Sequence, residues 1–266
     1  MLLTDMLSSR IVGLMDAAPA PAHRGKNGER MAAETSKSKG HKTPLDRDAF
    51  IAAGLRICSQ TRTLSLTYRD LGQELGVDPT AIYRHFHGKE SFMRELLDRV
   101  FQMAHTRAAH PTAPWEERLI ELAASTLDTF LEYPGIAVTA TSLTTGGPGE
   151  LASMELALDC FWEAGLHGRD LVEQYAVFAS YTLAGAAGLA RDLADPAGDG
   201  SYAWFAGPML AEPTRHPLAT SSRDHILALE QRKIFLAGVG QIVASAKEKA
   251  QHSGPSSPPM PRQPAA

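Results

Sequence analysis

The stretch Leu66-Thr67-Tyr68-Arg69-Asp70-Leu71-Gly72-Gln73-Glu74-Leu75-Gly76-Val77-Asp78-Pro79-Thr80-Ala81-Ile82-Tyr83-Arg84-His85-Phe86 reads as two short helices separated by a tight turn. Thr67 is placed to cap the first helix, and Asp70, three residues on, reaches back and suits the positive helix end. Leu71 and Leu75 supply its buried face. Gly76 takes the left-handed conformation that ends a helix, and Val77 buries in the turn. Asp78 caps the second helix, with Pro79 at the first position, where a missing N–H costs nothing. Ile82 and Phe86, four apart, point to the core.

Thr80, Ala81, Tyr83, Arg84 and His85 are left nearer the outer surface. A helix entering the major groove needs this arrangement: small residues at its start for close approach, and polar ones to reach bases and phosphates. Gly88-Lys89 opens the next helix and sets a cation and free N–H groups where a phosphate can sit. A plain helical hairpin has no need of Tyr, Arg and His in one short exposed run. The candidate DNA-contacting residues are therefore Thr67, Tyr68, Thr80, Ala81, Tyr83, Arg84, His85 and Lys89.

The run from about Phe50 to Phe101 resembles the N-terminal domain of the TetR family of bacterial regulators. The piece that carries the resemblance is Ala81-Ile82-Tyr83-Arg84-His85-Phe86-His87-Gly88-Lys89-Glu90, similar to the family's Tyr-x-His/Tyr-Phe-x-x-Lys signature. The resemblance implies that Tyr83, His85 and Lys89 touch the DNA backbone, while Thr80, Ala81 and Arg84 lie near base edges. It further implies a homodimer whose last two long helices pair into a four-helix bundle, a palindromic operator, and a small-molecule inducer that releases a repressor from DNA.

The rest of the chain reads as helix after helix, so the expected class is all-α: a three-helix, helix-turn-helix domain over residues 43–90, then a larger helical regulatory and dimerisation domain over 91–252. Residues 1–42, with Arg24, Lys26, Arg30, Lys37, Lys39 and Lys42, read as a disordered basic extension, and 253–266 as a Pro-rich disordered tail. Apolar periodicity predicts helices over 46–60, 90–108, 114–131, 136–143, 150–164, 170–190 and 224–249. Residues 192–220 read as a long loop in which Trp204, Phe205 and Met209 dock.

Residues 170–190 and 224–246 combine apolar faces with Ala and Gly, which lets helices approach closely. Val172, Tyr175, Ala176, Ala179, Leu183 and Ala186 are the candidate contacts on the first, and Ile226, Leu229, Ile234, Ala237 and Ile242 on the second. For the ligand the candidates are His105, Phe130, Trp162, Phe178, Tyr181 and Arg191, since a pocket is mainly apolar with a few polar anchors. The helix from Glu90 to Ala108 joins the reading head to the second domain and is the expected lever.

Residues 1–107 hold 16 Lys and Arg against 12 Asp and Glu, and the remainder 10 against 18, so a net charge of −4 conceals a basic front. The two cysteines, Cys58 and Cys160, lack a metal-ligand spacing and read as small buried hydrophobes in a reducing compartment. No run approaches the ~20 apolar residues of a membrane span, and the expected location is cytoplasmic. A Gly-rich phosphate loop, a G-x-S-x-G elbow and a paired metal-ligand motif are all missing, which argues against an enzyme and against any cofactor. The competing reading is a helical interaction protein of the same fold without specific DNA or inducer recognition.

Overall fold

The computed structural model describes residues 46–61, 65–108, 110–194 and 210–252. Helices and turns account for these residues, with no strand among them, so the all-α class holds. The basic extension, the Pro-rich tail and the Trp204–Phe205–Met209 segment lie outside the described residues.

Helix α1 (Arg47–Thr61) begins at Asp46, whose carboxylate accepts the Ala49 N–H at 2.9 Å. Helix α2 (Tyr68–Leu75) and a 3₁₀ helix (Pro79–Arg84) follow, and α3 (Lys89–Arg107) runs from them into the body of the protein. Phe50, Leu71, Ile82, Phe86, Phe92 and Leu96 are all buried and bind these four elements together. Gly54 permits the crossing of α1 and α3, because a Cβ there would stand 3.0 Å from both Phe92 and Leu96. Two ion pairs, Arg47–Glu95 at 2.5 Å and Asp48–Arg99 at 3.5 Å, tie the same helices at their rims.

The body is built from α4 (Trp115–Glu132), α5 (Pro134–Ala137) with a 3₁₀ turn (Val138–Thr141), α6 (Pro148–Glu163) and α7 (Gly168–Ala194). Short helices α8 (Pro217–Ser221) and α9 (Arg223–Leu227) lead to α10 (Gln231–His252). The second half of α3 enters this body, where Phe101 meets Phe130 with ring centroids 6.0 Å apart. Helix α10 lies on α7: Phe235 stacks on Tyr181, and the Tyr181 hydroxyl donates to the Phe235 carbonyl at 3.1 Å. Buried Gln174 completes the pairing, donating to the Ile242 carbonyl and accepting from Lys249, both at 2.9 Å. No helix among the described residues is long and apolar enough to cross a membrane.

The structure departs from the sequence reading at several places in the body, and helix α8 (Pro217–Ser221) lies within residues 192–220, a stretch expected to form a loop. The helix expected over 136–143 starts at Pro134 and tightens into a 3₁₀ turn after Ala137, since proline is well placed at a first helical position. Helix α7 continues to Ala194 beyond the expected end at residue 190. The last helix, expected to run unbroken from 224, is interrupted at 228–230. Helix α10 restarts where Gln231 and Phe235 become buried, whereas Leu227 before the break and Leu229 within it stay exposed. Packing on α7, rather than local propensity, decides where the long helix forms.

Candidate functional site

The turn between α2 and the 3₁₀ helix is held by short-range chemistry. Thr67 accepts the Asp70 N–H at 3.2 Å, and the Asp70 carboxylate accepts the Thr67 N–H at 3.0 Å, a complete capping box. Gly76 ends α2 with φ 65°, in the left-handed region glycine tolerates. Gly72 is equally constrained, because a Cβ would come within 2.8 Å of the Val77 carbonyl. Asp78 then accepts the Thr80 N–H at 2.8 Å and the Thr80 hydroxyl at 2.5 Å. The Thr80 hydroxyl, and next its N–H, hold the Asp78 carboxyl below the usual carboxylate range.

The second element of the pair is a six-residue 3₁₀ helix rather than an α-helix. Side chains three apart eclipse one another in this geometry. Thr80 and Tyr83 therefore form one outward row and Ala81 and Arg84 another, while Ile82 is buried beneath them. Tyr83 is 59% exposed, although it is a large aromatic side chain. It stands edge-on to Tyr68 with centroids 5.3 Å apart, and Tyr68 has its ionisation pushed up by burial and then by Tyr83. The His85 ring leans on Phe50 at 5.3 Å, which fixes one of its sides. Gly88, at φ 147°, admits the sharp entry into α3. That helix start has no side-chain cap, and Lys89 at its first position is exposed. Thr67, Thr80, Tyr83, Arg84 and Lys89 are exposed, with Tyr68, Ala81 and His85 half-buried beside them. All eight residues singled out from the sequence belong to α2, the 3₁₀ helix, the ends of these elements or the first residue of α3.

A second feature lies in the body. A cavity of about 70 Å³ sits among α3, α4, α6 and α7, lined by Phe101, Leu122, Met154, Tyr175 and Phe178, with Thr126, Glu150, Ser153 and Thr182 as polar members. Burial and then the charge of Glu150 raise the Tyr175 pKa, so its phenol stays a hydrogen-bond donor. The six residues proposed from the sequence for a ligand are not gathered here. Phe178 lines the cavity. Phe130 is fully buried against Phe101, Trp162 packs on His167, and Tyr181 is committed to α10. His105 is half-buried on α3, and Arg191 is exposed beside Asp192. Tyr175 and Thr182, which sequence reasoning missed as ligand groups, fall with Phe178 on one stripe of α7, a spacing that was available to find them. Glu150 carried no such signal.

The dimer candidates divide in a similar way. Val172 and Ala176 on α7 and Ala237 on α10 are exposed, as is Leu229 before α10. Ile226 and Ile234 are half-buried. Tyr175, Ala179 and Leu183 face the cavity, and Ala186 and Ile242 are buried within the chain.

Residues 107–238 match the model for the tetracycline repressor-like C-terminal domain. The tetracycline repressor protein class G of Vibrio anguillarum is 34% identical over 92 residues, which is 34% of this chain and 44% of the relative. The class A repressor from transposon 1721 of Escherichia coli is 29% identical over 144 residues, covering 53% of this chain and 65% of that one. The chain thus spans less than two thirds of either relative. The crystal structure of ActR, a TetR family protein of Streptomyces coelicolor, in complex with actinorhodin is similar with a TM-score of 0.64 at 22% identity. That likeness covers 78% of this chain and 99% of ActR. An all-helical fold with this capped helix-turn-helix and helical body defines the class. The chain belongs to the TetR family.

Proposed function

We propose that this chain is a DNA-binding transcriptional regulator, a repressor that sits on a palindromic operator as a homodimer and is released by a small molecule. The observation that carries this reading is the exposure of Thr80, Tyr83 and Arg84 on the two outward rows over the buried Ile82–Phe86 anchor, next to the uncapped start of α3 with Lys89. A large exposed aromatic and two cations around free backbone N–H groups form a phosphate-binding edge. In this reading Thr80, Ala81 and Arg84 contact base edges, and Tyr83, His85 and Lys89 contact phosphates.

The exposed apolar and small residues of α7 and α10 support the dimer. Val172 is 59% and Val177 51% exposed, and Ala176, Ala184, Ala237 and Ala244 lie on the surface of the same helix pair. A second copy covering these faces would fix the spacing of two reading heads. The cavity supports the response to a ligand, because α3 both lines it and carries the reading head. A ligand releases DNA to the extent that it binds the non-DNA conformation better. Selection of genomic fragments by the purified chain tests the reading. An enriched, two-fold symmetric sequence is expected, and the absence of any enriched sequence would favour a helical interaction protein instead.

A further inference from the structure

Glu150 is the one charged side chain lining the cavity among the described residues. Its two oxygens are used unequally. Oε2 accepts three bonds of 2.7 Å, from the Thr145 N–H, the Thr145 hydroxyl and the Gly146 N–H. These bonds hold the carboxylate against the loop before α6 and leave Oε1 without a hydrogen bond from any described residue. No ion pair of the described residues includes Glu150 either. A carboxylate fixed through one oxygen, beside apolar walls and without a cation, favours a positive partner.

Thr182 supplies an independent sign of a ligand. It is 3% exposed and belongs to the cavity lining, and its hydroxyl is buried without a hydrogen-bond partner. Other threonines of the body return their hydroxyl to the carbonyl four residues back, as Thr126 does to Leu122 and Thr129 to Ser125, each at 2.7 Å. Thr182 does not, so the lining keeps a polar group whose hydrogen bond is left unmade.

We infer that the cavity takes an apolar molecule bearing a protonated amine, with Oε1 of Glu150 as the anchor for the ammonium. This rests on the reading of the chain as a ligand-responsive regulator and adds the chemical class of the ligand. It also gives the ligand a short route to the reading head. The Thr145 hydroxyl lies between Oε2 of Glu150 at 2.7 Å and the Asp98 carboxylate of α3 at 3.0 Å, and its single proton serves one of them at a time. An ammonium at Oε1 draws negative charge from Oε2 and turns that proton toward α3.

Calorimetric titration of the full-length chain with benzyl and biphenyl-4-ylmethyl compounds, each as the ammonium, the alcohol and the carboxylate, tests this. In at least one size the ammonium should bind about tenfold tighter than the alcohol, the scale of a charge-assisted hydrogen bond, with the carboxylate weakest. Glu150→Gln should bring the ammonium within about twofold of the alcohol. Met154→Lys, four residues along the exposed side of α6, should do the same by pairing with Glu150 while leaving the loop bonds intact. Equal binding of the three charge forms, no binding of either ammonium, or an ammonium preference that survives both variants would overturn the inference. If an alcohol or carboxylate releases DNA and the ammonium does not, the amine assignment falls and the regulator reading stands. A failed genomic selection removes the regulator reading and leaves the amine preference measurable in solution.

Discussion

The Asp98 carboxylate on α3 accepts the backbone N–H of Glu150 at 3.0 Å, and that of Gly149 at 3.2 Å, so the first turn of α6 is capped from a neighbouring helix. The sequence around Pro148 offers α6 no side-chain cap of its own. Arg94, one turn before Asp98, donates to the Thr144 carbonyl and holds the other end of the same loop. The helix that carries the reading head and the helix that walls the cavity therefore share their polar contacts as well as their apolar ones.

Loss of this cap should cost stability on the scale of an N-cap. Asp98→Ala is expected to destabilise the chain by about 1–2 kcal/mol, and Asp98→Asn by less, because one acceptor oxygen remains. Denaturant unfolding of the two variants beside the wild type measures this, and equal midpoints for all three would contradict it.

Gly149 is the closest point between the two helices. A Cβ there would stand 2.2 Å from the Asp98 carbonyl and 2.7 Å from the Gln102 nitrogen, both backbone atoms that cannot swing aside. Gly149→Ala should therefore force α6 away from α3 and cost at least about 2 kcal/mol, the range of overpacked cores. An unchanged melting temperature would show that the contact is looser than the geometry indicates.

The two cysteines should be inert in the native state and should set an alkaline limit on stability. Burial pushes the Cys58 thiol up to about 11 and the Cys160 thiol up to about 12. The folded chain thus keeps these protons where an unfolded chain, with thiols near 9.0, has lost them. The unfolded state binds fewer protons, so this contribution is complete below about pH 8.5 and declines as pH rises from there toward the folded values. A thiol reagent at pH 8 should label neither cysteine until denaturant is added; rapid labelling of the native protein would count against both assignments.

The helix-turn-helix was largely legible in the sequence because its signals are local. Thr67 with Asp70, Gly76, and Asp78 with Pro79 act within four residues of one another, and each does in the structure what its side chain dictates. The tightening of Pro79–Arg84 to a 3₁₀ helix was not legible, since the distinction rests on how Ile82 and Phe86 seat on α1 and α3. The cavity was less legible still. Tyr175, Phe178 and Thr182 share a stripe of α7, but Glu150 joins them only through the fold, and an aromatic such as Tyr181 looks the same in sequence whether it lines a pocket or clamps α10. The break before α10 has no local cause, because 228–230 contain neither Gly nor Pro.

Substitutions on the two outward rows of the 3₁₀ helix should separate affinity from sequence preference. Thr80→Ala and Arg84→Ala are expected to change which bases are selected in the operator. Binding should weaken at the affected position by about 1–3 kcal/mol per lost base contact. A comparison of selected sequences for wild type and each variant measures this, and identical preferences would remove these residues from base reading.

The most direct test is the salt dependence of operator binding by a Tyr83→Ala/Lys89→Ala double variant. Both side chains are exposed, so the variant should fold. Binding to every sequence should weaken, and a plot of log affinity against log salt should be shallower by about one unit for the lost Lys89 phosphate contact. A folded double variant that binds the selected operator with wild-type affinity and wild-type salt dependence would contradict both expectations.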